Sequence, residues 1–344
     1  MNDYFHRVAA QTATRFWINN VTLAEADLAL AAGAVGCTQN PTYVWKILNG
    51  STDQDYAEQA LRKIIASEPD DSEALVKSQS ELVTNVAKKF MPLFEASQGR
   101  QGFVSIQGSP IEEDVDTIIR CARYNRQGSP NIMAKIPVTI DGLQAIELLA
   151  SESVPINATE CFAVRQVIDA CEAYVRGTKG LKNPAPMYFS LITGIYDEYL
   201  TKYVASNGID INSDVLWQAG ISVARKVHAI VQERQYPCGF IGGGARGLHH
   251  FTEMVGANAS ITINWEGTAN KLIEQDSPVV SRFLQPTPAA VEDELLSKLD
   301  DHRKAFFIDA IEPEEYEEYG PVELFRSGFT GAWKNALNYI ANLR

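Results

Sequence analysis

Eight short β-rich runs, each followed by a polar or glycine-containing junction and then a helical stretch, constrain this chain more than any other feature of it. The runs are Thr14–Asn19, Ala34–Thr38, Gly102–Gln107, Asn131–Val138, Val154–Thr159, Met187–Thr193, Cys238–Gly242 and Ser260–Asn264. Such alternation belongs to α/β folds. Segments between the runs place apolar residues at i, i+3, i+4 spacing, as in Leu143, Ile146, Leu149 and Ala150, or Ile221, Ala224, Val227, His228 and Val231. Asn40-Pro41 supplies a helix start, because proline's missing N–H has no intrahelical partner in a first turn. Eight units in ~275 residues favour a closed (β/α)8 TIM barrel over an open doubly wound sheet. The first run leads into Asn19-Asn20-Val21-Thr22-Leu23, which lacks the glycine-rich turn of a dinucleotide site.

No Pro-, Gly- or Ser-rich joint divides the 344 residues, so one barrel domain is expected. A helical insertion is expected at about 49–101, with helices at Tyr56–Ser67 and Ser72–Glu95, and a helical extension at about 276–344. Within that extension, the acidic stretch Glu312–Tyr319 reads as solvated surface. The amphipathic end, with Trp333, Leu337, Ile340 and Leu343, reads as packing on the barrel or on a neighbouring subunit.

Charge narrows the partners. The chain carries 30 Lys+Arg against 43 Asp+Glu, a net of −13, and gathers no basic stripe with interleaved aromatics. Neither nucleic acid nor membrane is therefore an expected partner. The start, Met1-Asn2-Asp3-Tyr4-Phe5-His6-Arg7, lacks the basic-then-apolar run of a signal peptide, and no eighteen consecutive residues are apolar, so the cytoplasm is the expected compartment. The five cysteines are scattered, odd in number and never in CxxC spacing; they read as reduced, mostly buried residues rather than disulfides or zinc ligands.

One charged residue interrupts the apolar fourth run, Ile132-Met133-Ala134-Lys135-Ile136-Pro137-Val138. Strand side chains alternate between faces, so Lys135 shares a face with Met133, while Ala134 goes with Ile132 and Ile136. If that face is the barrel interior, desolvation disfavours the ammonium and leaves an amine able to form a Schiff base with a ketone. The other reading is a lysine that snorkels to solvent or pairs with a carboxylate. Asn157 and Thr159 lie at alternate positions near the end of the fifth run, Asn40 ends the second region, Ser190 lies in the sixth, and Arg246 follows Gly242-Gly243-Gly244-Ala245. Each falls at a C-terminal strand end, where barrel enzymes assemble their sites.

These residues resemble the transaldolase family of Schiff-base class I aldolases. Gly36-Cys37-Thr38-Gln39-Asn40-Pro41-Thr42 is similar to the family's G-A-T-T-N-P-S. Lys135-Ile136-Pro137-Val138-Thr139 followed by Gly142-Leu143-Gln144-Ala145 is similar to K-I-P-x-T-x-x-G-L-x-A, and Asn157-Ala158-Thr159-Glu160-Cys161-Phe162 to N-x-T-x-x-F. The resemblance spans about residues 14–275. It implies a TIM barrel whose Lys135 takes a dihydroxyacetone unit from a ketose phosphate and passes it to an aldehyde. That is transferase or aldolase (lyase) chemistry of carbohydrate metabolism, as in the pentose phosphate pathway. It further implies that Asn40 and Asn157 hydrogen-bond the three-carbon unit, Thr159 positions a water, Ser190 lines the pocket and Arg246 meets the phosphate. A sugar or sugar-phosphate partner, no metal or organic cofactor, and a homo-oligomer complete the expectation.

Three positions depart from the pattern. The first strand ends in Asn19, or with a one-residue shift Asn20, where the family carries aspartate; Gln107 replaces a third-strand glutamate; and Ile195 replaces a phosphate-binding arginine. The nearby cations are His249, His250 and Lys179. Fructose-6-phosphate aldolases, similar around the lysine, also carry glutamine at the third-strand position. An amide holds a hydrogen bond but does not carry a proton, and general acid–base help contributes roughly 10²–10⁴ in rate. Two outcomes follow: an enzyme with altered or weak aldol chemistry, in which Asn19 and Gln107 orient hydroxyls beside a water on Thr159 or an unidentified proton carrier, or a catalytically silent homologue that binds a sugar or metabolite as a sensor or structural partner.

Overall fold

All eight runs form strands: β1 (Arg15–Asn19), β2 (Gly36–Thr38), β3 (Phe103–Gln107), β4 (Ile132–Pro137), β5 (Ile156–Cys161), β6 (Met187–Leu191), β7 (Cys238–Gly242) and β8 (Ser260–Ile263). Each pairs in parallel with the next, and β8 pairs back onto β1, closing the (β/α)8 barrel. The computed structural model describes residues 3–344.

Alternation along the strands separates two interiors. Ile18, Cys37, Val104, Ile106, Ile132, Ala134, Ile136, Ile156, Ala158, Phe189 and Ile261 point outwards into the main core against the helices. Trp17, Phe103, Met133 and Ile241 point to the barrel axis, where they form a separate cluster with Tyr188. This apolar plug needs backbone without side chains beside it. A Cβ on Gly36 would lie 2.3 Å from the Trp17 ring, and one on Gly239 would lie 2.4 Å from the Tyr188 ring. Two residues further along the same strands the axis turns polar, with Asn19, Thr38, Ser105, Lys135 and Ser190 above the plug.

Helices Gln54–Ile65 and Asp71–Ala96 lie between β2 and β3, and the longer one docks on β3 through Gln79, whose Nε2 donates to the Gln107 carbonyl at 2.5 Å. The helix after Asn40-Pro41 begins later than the proline suggests, at Tyr43. Asn40 instead closes a turn, its Oδ1 accepting from the N–H and hydroxyl of Thr42 at 3.0 and 2.7 Å.

The C-terminal region corrects one expectation and sharpens another. Glu317 and Glu318 are exposed, but Tyr316 and Tyr319 in the same acidic stretch are buried, their hydroxyls donating to Asp169 at 2.7 Å and to the Asp301 carbonyl at 2.6 Å. A large ring gains from burial when its hydroxyl keeps a partner. The final helix starts well before Trp333, at Gly320, and runs to Leu343. It packs on this same chain, against helices Tyr43–Leu48, Asp71–Ala96 and Thr193–Asn207. No helix among the described residues is long and apolar enough to cross a membrane. Cys37, Cys121, Cys161 and Cys171 are free and buried, and Cys238 is free and partly buried.

The close fit of Gly36 to Trp17 gives a direct test. Gly36→Ala is expected to lower the stability measured by urea unfolding by about 1–3 kcal/mol. Gly331→Ala, on the final helix where an added methyl meets open space, is expected to leave the midpoint unchanged or raise it.

Candidate active site

Lys135 follows Met133 by two residues on β4, so its side chain rises from the apolar plug along the barrel axis; it is 7% exposed. A cavity of about 400 Å³ opens above it at the C-terminal ends of the strands. Among the sequence-predicted residues, Lys135, Asn19, Asn40, Ser190 and Arg246 line this cavity, and Asn20 lines it too. Gln107, Asn157 and Thr159 are buried and do not line it.

The ammonium of Lys135 has no hydrogen bond or ion pair among the described residues; its nearest aromatic neighbour is the Phe329 ring, with Nζ 6.0 Å from the centroid. Burial pulls its pKa down to about 8, opposed by the charges of Glu160 and Cys37. The snorkelling alternative does not describe this side chain.

Around the lysine the polar side chains restrain one another. Thr38 donates to Asn19 Oδ1 at 2.9 Å and shares a 2.7 Å hydrogen bond with Thr262, while Asn19 Nδ2 donates to Asn264 at 2.9 Å. Asn20, in a left-handed backbone conformation (φ 46°) that asparagine tolerates, donates to Asn40 Oδ1 at 2.9 Å. Asn40 Oδ1 therefore serves three donors, and Asn40 lines the cavity. On the floor, Ser190 donates to Asn157 Oδ1 at 2.7 Å and Asn157 donates to Ser105 at 3.1 Å. Asn157 thus supports Ser190 from below, and the Ser190 hydroxyl presents lone pairs upwards.

Arg246 reaches the cavity but meets a carboxylate there: its Nε donates to Glu198 at 2.5 Å, and Glu198 lines the same wall. The loop behind it is braced by His250, which is buried. Its Nδ1 accepts from the N–H groups of Arg246 and Gly247 at 3.2 and 3.1 Å, so Nε2 carries the proton that bonds Asp197 at 3.0 Å. His249 is half-buried beside it. Lys179 is exposed in a helix-to-strand connection, which places it at the opposite face of the barrel.

One group of residues was not singled out from sequence. Glu160 and Glu113 are held together by Gln107, whose Nε2 donates to Glu160 at 3.0 Å and to Glu113 at 3.2 Å. Arg326, from the final helix, donates to Glu113 at 2.5 Å and approaches Glu160 at 3.8 Å. Burial, with the Glu160 charge adding to it, pushes the Glu113 carboxyl up to about 8 against the pull of Arg326. Burial raises Glu160 too, opposed by Arg326 and Gln107. The sequence signal for Glu160 is a glutamate inside a strand motif; Arg326 and Phe329 precede the amphipathic end at Trp333 and have none.

Comparison with known proteins agrees with this geometry. The family described as Transaldolase/Fructose-6-phosphate aldolase matches residues 16–312. Over 168 residues the chain is 31% identical to a transaldolase of Saccharopolyspora erythraea, covering 48% of this chain and 44% of that one. A transaldolase of Trichodesmium erythraeum is 32% identical over 148 residues (42% and 38% coverage), and one of Kocuria rhizophila 26% identical over 208 residues (58% and 56%). The aligned segments span about half or less of the length of these relatives. A closed parallel barrel, a lysine buried at its axis on β4 and a family match over most of the length together assign this chain to the transaldolase/fructose-6-phosphate aldolase family.

Proposed function

We propose that this protein is a transaldolase-like enzyme in which the Lys135 amine condenses with the carbonyl of a ketose or ketose phosphate. The observation that carries the reading is a buried amine, unpaired and drawn down to about 8, on the wall of a cavity of about 400 Å³. Such an amine is about one-tenth unprotonated near pH 7, far more than a solvated lysine, and its iminium can accept the electrons of a breaking C–C bond. Asn19, Asn40 and Ser190 would hold the hydroxyls of the three-carbon unit, with Asn157 supporting Ser190. Gln107, whose amide hydrogens are both committed to carboxylates, would offer only its oxygen.

Arg246 is the cation that would meet a phosphate, and its pairing with Glu198 favours the unphosphorylated ketose within that class. A phosphate dianion would have to compete with a carboxylate already seated on the guanidinium. The amides at Asn19 and Gln107 favour a second reading, a homologue that binds its sugar without turning it over. Imine formation separates the two.

Incubation with dihydroxyacetone or fructose 6-phosphate, reduction with borohydride and intact-mass measurement is expected to show one covalent adduct, mapped to Lys135. Its rate of formation should rise about tenfold per pH unit below about 8 and level off above, following the free amine. Lys135→Met should abolish the adduct while raising the thermal midpoint, because it removes an unpaired buried amine. A wild-type protein that binds ketose and yields no adduct would favour the silent reading. Glu198→Gln is expected to lower the KM for fructose 6-phosphate by up to about tenfold, roughly 1.4 kcal/mol, with that for dihydroxyacetone unchanged.

A further inference from the structure

Glu160 meets Gln107 because β5 carries one residue too many. The β5–β6 register runs Ala158 against Phe189 and then Cys161 against Leu191, so Thr159 and Glu160 together face the single residue Ser190. An unbroken strand would have turned Glu160 towards the helices with Ala158. The bulge returns Cys161 to the helix side and leaves Glu160 beside Thr159, in a left-handed backbone conformation (φ 64°) that non-glycine residues rarely adopt. A strained backbone and a carboxylate only 1% exposed are both unfavourable for stability, and features of this kind collect where function needs them.

Three buried oxygens there have no hydrogen-bond partner within the protein, Glu160 Oε2, Thr159 Oγ1 and Gln107 Oε1, although Arg326 Nε stands 3.8 Å from the first. They belong to strand ends in register with Lys135, which pairs with Gln107 on one side and, through Pro137 opposite Thr159, adjoins β5 on the other. The charged groups facing Glu160 are Lys135, Glu113, Arg326 and Glu317. Of these, Lys135 alone lies on the cavity wall.

We propose that Glu160 is the carboxylate that exchanges protons with the Lys135 imine, from β5, in place of a carboxylate at position 107. The proposal rests on the Schiff-base reading. The Lys135 nitrogen adds to the ketone carbon, and one proton passes from nitrogen to oxygen to give the carbinolamine. Protonated Glu160 then gives its proton, through a water on Thr159, to the carbinolamine hydroxyl. That hydroxyl leaves as water while the nitrogen lone pair forms C=N, so iminium and glutamate carboxylate are produced together. When the adjacent C–C bond breaks, the departing aldehyde's hydroxyl proton returns to Glu160. The bond's electron pair moves onto the iminium as a neutral enamine. Charge and protons balance up to the enamine, and addition of an acceptor aldehyde, which takes the Glu160 proton on its oxygen, followed by hydrolysis of the iminium runs the same steps in reverse to the free lysine.

A time course of borohydride-trapped adduct with dihydroxyacetone tests this. Glu160→Gln keeps an acceptor for the Gln107 amide and is expected to reach the wild-type final fraction of adduct at a rate lower by roughly 10²-fold or more. The double variant Gln107→Glu with Glu160→Gln, which moves the carboxylate back to β3, is expected to recover most of that rate. A Glu160→Gln protein that forms adduct at the wild-type rate overturns the proposal, as does one that loses the final fraction in proportion to the rate, since that marks a collapsed pocket. Should the single variant misfold, a folded double variant that remains slow also overturns it. Absence of adduct in the unaltered protein removes the Schiff base itself and the proposal with it.

Discussion

A primary amine enclosed by eight parallel strands is the constraint on which this structure turns. Lys135 is surrounded by hydrogen-bonding amides and hydroxyls that are already committed to one another, so it has no counter-ion in direct contact. Desolvation therefore prevails and its pKa falls to about 8. The charge of Glu160 partly opposes the fall.

The apolar plug beneath the lysine matters as much as the polar ring around it. Trp17, Phe103, Met133, Tyr188 and Ile241 pack together below the lysine, and the cavity of about 400 Å³ opens above it at the C-terminal mouth. The strands switch from apolar to polar within two residues, Trp17 to Asn19 and Met133 to Lys135, so the floor of the cavity is set by strand periodicity. Gly36 and Gly239 make room for the large rings without widening the barrel.

The barrel was legible because alternation and hydrophobic periodicity are local properties, and all eight runs became strands with ends shifted by a residue or two. Lys135 could be placed on the axis by counting from Met133. Glu160 could not: the same counting assigns it to the helix-facing side, and the bulge that reverses this depends on β6, whose register no β5 residue announces. Asn40 misled for a related reason, since its side chain closes a turn that delays the helix to Tyr43. Arg246 lines the cavity, but its partner Glu198 lies 48 residues earlier, on the helix after β6. Tertiary pairs between distant elements have no signature in a single sequence.

The final helix joins these threads. Arg326 projects from it into the acidic pair Glu113 and Glu160, while Phe325 and Phe329 from the same turns cover the cavity. Two buried carboxylates that share one glutamine cannot both ionise cheaply, and a guanidinium set against both relieves that repulsion without entering the cavity. Glu113, bonded directly to Arg326, takes most of that compensation. Glu160, at 3.8 Å from the same guanidinium, keeps one oxygen without a hydrogen bond, and burial holds both carboxyls up. The helix is thus both the roof of the cavity and the source of its counter-charge. Lifting it would expose the lysine to water, which favours the ammonium, and would leave the acidic pair without its cation, which favours protonation of a carboxylate. The first change returns the lysine to its charged form, so closure of the roof and desolvation of the amine are one electrostatic condition.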